Sequence, residues 1–407
     1  MTDAATAAGR SPTPPAQPVM PPPPMPPVWL LAMLSALGPL STDLYLPALP
    51  AIGIDFAATP AAVQWTLSGF LMGFAPAMLV IGPLADRFGR RPVVLAGTMV
   101  FLLASLACAL APSLPWLVVA RVVQAVGAAT GPVLSRAIVR DTCPPDRIGS
   151  VFATISGVMS LAPAVGPVLG GLLVVASGWR TCFLVLALVA LANLAAMHRM
   201  LRETAPSLDA RATELATLLA AMQEFAASRA FRLHTAVATA SYSALFAFIS
   251  GGTYVVQQGL GLSPFGFSLC FGAVAFSYFL GSMVSRVASP RLGTRRMIVL
   301  GAWWSAAVGL AGFAGLLLAG PSLATVVLPM VLIMLGFAQT QPNAMAGAVG
   351  PFPHMAGRAS SALGFVQWGL AALSGLVLAS MLDMQGLVLS AFMLFWLALA
   401  LLAALKL

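Results

Sequence analysis

The chain has 407 residues, of which 60% are hydrophobic and 8% are charged, and its formal net charge is +9. A soluble domain carries roughly 25% charged residues, so this composition excludes a soluble globular protein and indicates a polytopic membrane protein. Four single cysteines form no metal-ligand spacing, which argues against a metal centre.

Residues 1–27 form the first distinct segment. They are rich in proline, which favours an extended chain without a packed core. No basic start followed by an apolar stretch and a cleavage site is present, so a signal peptide is not indicated. We predict a disordered cytoplasmic tail.

Twelve apolar segments of roughly 20 residues follow, the length that a helix needs to cross a bilayer. They predict an all-α membrane protein with twelve transmembrane helices in two six-helix bundles. The predicted spans are 28–50, 63–83, 93–111, 116–136, 149–176, 180–200, 233–257, 265–286, 297–319, 322–347, 359–382 and 386–405.

The basic residues fix the predicted orientation. With a cytoplasmic N-terminus, every Arg and Lys except Arg121 and Arg180 falls on the cytoplasmic side, as the positive-inside rule requires. This distribution also accounts for the net positive charge without nucleic acid. We expect both termini to be cytoplasmic, with bundles at 28–200 and 233–407 joined by a cytoplasmic linker at 201–232.

The loop between the second and third spans carries the most specific motif. It resembles the signature loop of the major facilitator superfamily, and a weaker copy in the second half aligns Gly89 with Gly293. In that family the loop locks one conformation. The residues that carry this expected role are Gly82, Asp86, Arg87, Gly89, Arg90 and Arg91.

Two further helices carry patterns of the same superfamily. Arg121 and Gln124 stand in an R-x-x-Q-x-x-G pattern, and an arginine inside a span implies a partner or a watery cavity. The fifth span resembles the antiporter motif, which is associated with exporters. Its Gly166, Pro167 and Gly170 are expected to bend and pack the helix during switching.

The first span contains Asp43, the one acidic residue within the predicted spans. Its surroundings resemble the bicyclomycin/chloramphenicol-resistance (Bcr/CflA) branch of drug:proton antiporters. The resemblance covers nearly everything from the first span to the eleventh. It implies that Asp43 and Arg121 couple transport to protons. We predict substrate contacts from Tyr45, Gln124, Tyr242, Phe246, Gln341, Asn343 and Gln367.

Motifs for other chemistry are missing. The one lysine, Lys406, follows no glycine-rich loop, so a P-loop ATPase is excluded. No H-E-x-x-H or G-x-S-x-G motif indicates an enzyme. We predict a monomeric exporter of small hydrophobic or amphipathic drugs in the bacterial inner membrane, driven by the proton gradient without a cofactor. The alternatives are a proton symporter importing a small metabolite and a membrane enzyme or assembly scaffold.

Overall fold

The computed structural model of the chain describes residues 25–210, 212–352 and 355–407, with the backbone alone at some positions in 145–164 and at 215–218. Nearly all of the predicted N-terminal tail lies outside the described residues. The described residues form helices and loops, without a β-strand. The helices are α1 Val28–Asp43, α2 Leu49–Asp55, α3 Pro60–Phe88, α4 Arg90–Ala109, α5 Leu114–Ala128, α6 Thr130–Thr142, α7 Pro145–Ser177, α8 Arg180–Met200, α9 Leu215–Ala227, α10 Arg229–Ala247, α11 Pro264–Leu292, α12 Thr294–Ala319, α13 Leu323–Val349, α14 Ala356–Met381 and α15 Leu387–Leu405.

The predicted twelve-helix arrangement is confirmed. Within the described residues, eleven helical units are long and apolar enough to cross a membrane, with α1–α2 and α5–α6 each counted as one unit. The twelfth is α7, which has 33 residues and an apolar part at Val165–Ser177. The short α9 lies in the predicted linker, whose bounds remain a prediction.

Several helices run past their predicted ends. The fourth span ends at Thr142 rather than 136, and the eighth ends at Leu292 rather than 286. The predicted ends followed the loss of hydrophobicity, but arginine is a good helix former and the backbone hydrogen bonds continue through it. The extra turns therefore keep Arg140 and Arg291 within the helices.

The first span is broken close to its predicted proton site. The α-helix α1 ends at Asp43, and a short 3₁₀ segment at Leu46–Ala48 leads into α2. Pro47 and Pro50 lack the backbone N–H that a continuous helix needs there. The break leaves Asp43 at a helix end inside the molecule.

The helices pack as two groups. In the first half α1 contacts α6, α7 and α8, while α4 packs on α5 and α8; in the second half α10 contacts α13, α14 and α15, and α12 packs on α13 and α15. The main contacts between halves are α3 along α14 and α7 along α11. Many large apolar side chains face outward, for example Leu188, Leu310 and Phe395, as expected for a lipid-facing surface.

The two ends of the molecule differ in charge. The α3–α4 and α11–α12 connections share one end, which we call the arginine-rich end. Gly89 and Gly293 begin these connections with φ of 97° and 80°, a backbone region that glycine enters readily. The repeat predicted between them is therefore also a structural one. The opposite, arginine-poor end carries the ion pair of Asp55 with Arg180 at 2.7 Å.

Candidate functional site

A central cavity of about 390 Å³ lies between the two halves. Its described lining contains two charged residues, Asp43 and Arg136. Apolar and aromatic side chains make up most of the remaining wall, with a few amides and hydroxyls. The aromatic residues of this wall are Phe70, Phe74, Tyr242, Phe271, Tyr278, Phe337 and Trp368.

Asp43 is 6% exposed and reaches the cavity from the end of α1. Its Oδ1 accepts a hydrogen bond from the Thr42 hydroxyl at 3.3 Å. The backbone of α7 lies directly against it, because a Cβ at Gly166 would stand 2.9 Å from the Cβ of Asp43. The predicted antiporter motif thus packs against the predicted proton site.

Arg121 lies behind the cavity wall and is fully buried. Its guanidinium donates to the carbonyl oxygens of Ser41 at 2.9 Å and Thr66 at 3.3 Å, and to Gln124 Oε1 at 2.7 Å. Three rings surround it, those of Phe70 at 4.3 Å, Tyr45 at 4.7 Å and Phe183 at 5.7 Å. Among the described salt bridges there is none between Arg121 and Asp43.

Tyr45 and Gln124, predicted as substrate contacts, belong to the surroundings of Arg121. The Tyr45 hydroxyl is hydrogen-bonded to Thr66 Oγ1, and Gln124 Nε2 donates to Ser105 Oγ at 2.7 Å. Both side chains are fully buried, and neither is part of the cavity lining. In this conformation the structure brings them to the arginine and not to the substrate space.

The predicted substrate residues of the second half also fall into two groups, those that line the cavity and those that do not. Tyr242, Gln341 and Gln367 line the cavity, and Gln341 Nε2 donates to Gln367 Oε1 at 3.0 Å. Phe246 is 2% exposed and lies outside the lining. Asn343 Nδ2 donates to the hydroxyls of two serines on α11, Ser285 and Ser289, and so joins α13 to α11.

A second cavity of about 550 Å³ lies at the arginine-rich end, and we call it the vestibule. It shares Met78, Pro132, Arg136 and Ser360 with the central cavity. At the arginine-poor end the halves touch directly, for example where Gln257 Nε2 donates to the Pro47 carbonyl at 3.3 Å. The central cavity therefore opens towards the arginine-rich end.

The signature loop forms an ion network within the first half. Arg90 donates to Asp86 Oδ1 at 2.6 Å and to Asp141 Oδ2 at 3.0 Å. Gly89 caps α4 without a side chain, and the carboxylate of Glu203 accepts from the backbone N–H of Arg90 at 2.8 Å and of Arg91 at 3.2 Å. The loop thus joins α3, α4, α6 and the segment after α8.

The remaining signature residues bind the linker or α8, or line the vestibule. Arg87 donates to Thr213 Oγ1 at 2.9 Å, and Arg91 donates to the His198 carbonyl at 3.0 Å. Gly82 lines the vestibule. In the antiporter motif, a Cβ at Gly170 would meet the Leu44 carbonyl oxygen, and Pro167 is buried beside Gly166.

Sequence reasoning missed three charged residues of this region. The predicted fourth span ends at Arg136, which assigns this arginine to the cytoplasmic basic segment. Asp141 and Glu203 lie beyond the predicted ends of the fourth and sixth spans, where acids stand next to arginines in sequence. An acid directly after an arginine was the sequence signal that could have identified Asp141 and Glu203. No group of three metal-binding side chains occurs within the described residues.

Comparisons with known proteins agree with the architecture. The family model described as Major Facilitator Superfamily matches residues 31–376. The chain is 32% identical over 343 residues to an uncharacterized MFS-type transporter, YdgK, of Bacillus subtilis (strain 168), covering 83% of this chain and 84% of the relative. It is 31% identical over 370 residues to a bicyclomycin resistance protein homolog of Haemophilus influenzae, covering 86% and 88%. It is 30% identical over 329 residues to multidrug resistance protein MdtL of Escherichia coli (strain K12), covering 81% and 82%.

Solved structures share the fold at low sequence identity. A D-xylose-proton symporter superposes with a TM-score of 0.72 at 17% identity, covering 93% of this chain and 96% of that one. A POT family transporter in complex with 5-aminolevulinic acid superposes with a TM-score of 0.75 at 14% identity, covering 94% and 97%. The family match, the relatives and the cavity between two helix bundles show that this chain belongs to the major facilitator superfamily of membrane transporters.

Proposed function

We propose that this protein exports small hydrophobic or amphipathic drug-like compounds across the bacterial inner membrane in exchange for protons. The observation that carries the proposal is a mostly apolar cavity whose described lining holds a single carboxyl group, that of Asp43. Apolar pockets with few polar groups suit compounds of this kind. The names of the Haemophilus influenzae and Escherichia coli relatives support drug export.

In this mechanism the carrier accepts substrate when Asp43 is ionised. Protonation of Asp43 and binding of substrate therefore exclude each other. The carboxyl stands where α1 breaks and where α7 packs closest, so a movement of α7 against α1 changes its surroundings. Surroundings of different polarity stabilise different protonation states. Proton binding on one side of the membrane and release on the other would then drive export.

We further propose that the arginine-rich end faces the cytoplasm, with both termini there, as the positive-inside rule requires. The vestibule is then the entrance for substrate. The signature loop would exchange its present contacts for contacts with α14 when this end closes, because Asp86 and Arg90 face Gly357 and Arg358 across the vestibule. One chain holds the whole cavity, which supports a monomer.

Transport into inside-out vesicles tests the proposal. With an acidic interior, vesicles containing the wild-type protein should accumulate radiolabelled chloramphenicol. Asp43→Asn should reduce accumulation to the level of empty vesicles, because an amide neither gains nor releases a proton near neutral pH. Binding of chloramphenicol to purified Asp43→Asn should persist and should not vary with pH.

Asp55→Asn is the matched control, because Asp55 is an exposed carboxylate at the arginine-poor end and should not affect accumulation. Gradient-driven accumulation by Asp43→Asn would show that Asp43 is not the coupling residue. Accumulation driven together with protons, in right-side-out vesicles with an acidic exterior, would favour the symporter alternative.

A further inference from the structure

Arg136 is the second charged residue of the central cavity, and the proton mechanism does not use it. It lies on α6, and its exposed side chain lines both the central cavity and the vestibule. Its Nη1 donates to the Ser360 hydroxyl of α14 at 2.6 Å. The salt bridges within the described residues lie elsewhere, so Arg136 faces the substrate path without a carboxylate partner.

The vestibule adds two more arginines of the same kind. Arg140 stands one helical turn beyond Arg136, and Arg358 lies on α14 across the vestibule. Asp86 and Asp141 are both bound by Arg90, and neither forms a described salt bridge with Arg136, Arg140 or Arg358. Three guanidinium groups that form none of the described salt bridges surround one entrance, and clefts with an excess of one sign of charge concentrate ligands of the opposite sign.

A purely structural role leaves most hydrogen-bond donors of the Arg136 guanidinium without an acceptor among the described contacts. A guanidinium has five N–H donors, and the fork that they form matches a carboxylate in a bidentate manner. The described contacts of Arg136 occupy one donor, with a neutral hydroxyl as its acceptor. An anionic ligand would offer the stronger, charge-assisted hydrogen bonds.

The positions of Arg136 and Asp43 determine where an anionic group of the ligand can bind. Ser35 of α1 contacts Ser135 of α6 at 2.7 Å, so Arg136 lies near the level of Ser35. Asp43 stands eight residues further along α1, about 12 Å at the rise of an α-helix. An anion at Arg136 therefore stays away from the carboxyl of Asp43.

Aromatic side chains line the same cavity as these two charges. The Trp368 ring contacts Tyr242 at 4.9 Å and Phe74 at 5.2 Å between ring centroids. All three line the central cavity. Such a wall favours a flat ring system, since aromatic pairs gain energy beyond the burial of their area.

We propose that the cavity binds aromatic carboxylates, with the carboxylate held by Arg136 and the ring placed against Trp368, Tyr242 and Phe74. The proposal rests on the export function above and names a substrate class for it. It makes Arg136 a specificity residue, separate from the proton site at Asp43.

Calorimetric titration of the purified full-length protein in detergent tests this, with naphthoic acid and naphthamide as probes. The two compounds share a ring system and differ in charge near neutral pH. The wild type should bind naphthoate about tenfold more tightly than naphthamide or better, as expected for hydrogen bonds to a charged group. Arg136→Gln should bind the two equally, with naphthamide affinity unchanged. Arg136→Lys should retain part of the preference.

Arg296→Gln is the matched control, because this exposed arginine at the start of α12 belongs to the same end but not to either cavity. It should keep the full preference. Equal affinity of the wild type for acid and amide, absence of naphthoate binding, or a preference that survives Arg136→Gln would each overturn the proposal. No proton gradient is present in this assay. Its failure would therefore leave the vesicle test of proton-coupled export unaffected.

Discussion

Arg121 carries a positive charge into the interior of the first half. An arginine at the centre of a membrane helix costs roughly 2.5–3.5 kcal/mol on insertion scales. Two carbonyl oxygens, the Gln124 amide and three aromatic rings compensate for this cost. The ring of Phe70, which contacts Arg121 and also lines the cavity, separates the guanidinium from the substrate space. This arrangement supports a positioning role; a role in proton coupling stays a prediction.

We expect Arg121→Met to destabilise the protein strongly. The change removes the charge-assisted hydrogen bonds to the carbonyl oxygens of Ser41 and Thr66 and leaves the buried Gln124 Oε1 without its donor, which should lower the free energy of unfolding by about 3 kcal/mol. The check is chemical unfolding of the protein in detergent, followed by tryptophan fluorescence. Arg180→Gln provides the comparison, because its ion pair with Asp55 is exposed and should contribute less than about 1 kcal/mol. Equal losses in both variants would contradict the positioning role.

Individual residues were predicted from the sequence with uneven success. The type of residue at Asp43 and Arg121 indicated function, since charges inside a span are rare. Their separation could not be predicted, because the direction of a side chain around a helix depends on how the helices pack. Asn343 shows the same limit: its position in the pattern suggested substrate, but its amide joins α13 to α11.

At the scale of helices, the contact of α7 with α1 depends on glycine. A Cβ at Gly170 would meet the Leu44 carbonyl oxygen, and one at Gly166 would meet Asp43. We expect Gly170→Ala to separate these helices, to lower the free energy of unfolding by about 1–3 kcal/mol, and to reduce drug accumulation in vesicles. The measurement pairs unfolding with the vesicle assay.

Gly157→Ala in the same helix is the control for this glycine. A Cβ there would meet no atom within 4 Å, so the substitution should be neutral or stabilise the helix by up to about 1 kcal/mol. If Gly170→Ala behaved as Gly157→Ala does, the close approach of α7 to α1 would not be needed for stability or transport.

A carboxylate distant in sequence completes the start of α4. Glu203 is held by four backbone N–H groups, those of Arg90, Arg91, Thr204 and Ala205. Partial burial alone would raise the pKa of Glu203, but these four donors outweigh burial and lower it below its ordinary value of 4.5. Negative charge at a helix N-terminus also interacts favourably with the helix dipole.

The lowered pKa of Glu203 gives a pH dependence with a definite sign. The ionised form is the one that the folded state stabilises, so the contribution is fully present above pH 4.5 and is lost as pH falls through the lower folded-state pKa. We therefore expect the difference in melting temperature between wild type and Glu203→Gln to be largest near pH 7 and to shrink below about pH 4. The exposed Glu224→Gln should show no such difference. A gap between wild type and Glu203→Gln that stays constant with pH would rule out the capping role.

For the molecule as a whole, hydrophobicity and the arginine pattern predicted the number of spans and their grouping. Hydrophobicity and charge can be read from each segment by itself, so these predictions do not depend on which helices contact each other. The break at Pro47 and the direction in which the cavity opens depend on which helices touch at each end. Arg136 was missed for a related reason, because the predicted span ends at this arginine and so places it at the membrane surface rather than in the interior.

The contacts at the arginine-poor end lead to a prediction about the whole transport cycle. There α7 meets α11 so closely that a Cβ at Gly171 would lie 3.0 Å from the Pro264 carbonyl oxygen and would meet the Ser268 hydroxyl. Cysteines at Gly171 and Ser268 should therefore be close enough for a disulfide. Alternating access requires this contact to open, so a bond across it should hold the protein with its cavity open at the arginine-rich end.

We expect Gly171→Cys/Ser268→Cys, made with Cys108, Cys143, Cys182 and Cys270 replaced by alanine, to lose drug accumulation in vesicles after oxidation and to regain it with a reductant. Drug binding to the oxidised protein should persist, since the central cavity stays open at the arginine-rich end. The activity of each single-cysteine variant should be the same under oxidising and reducing conditions, which separates the effect of the cross-link from that of the new side chains. Undiminished transport by fully cross-linked protein would mean that the two halves do not separate at this contact.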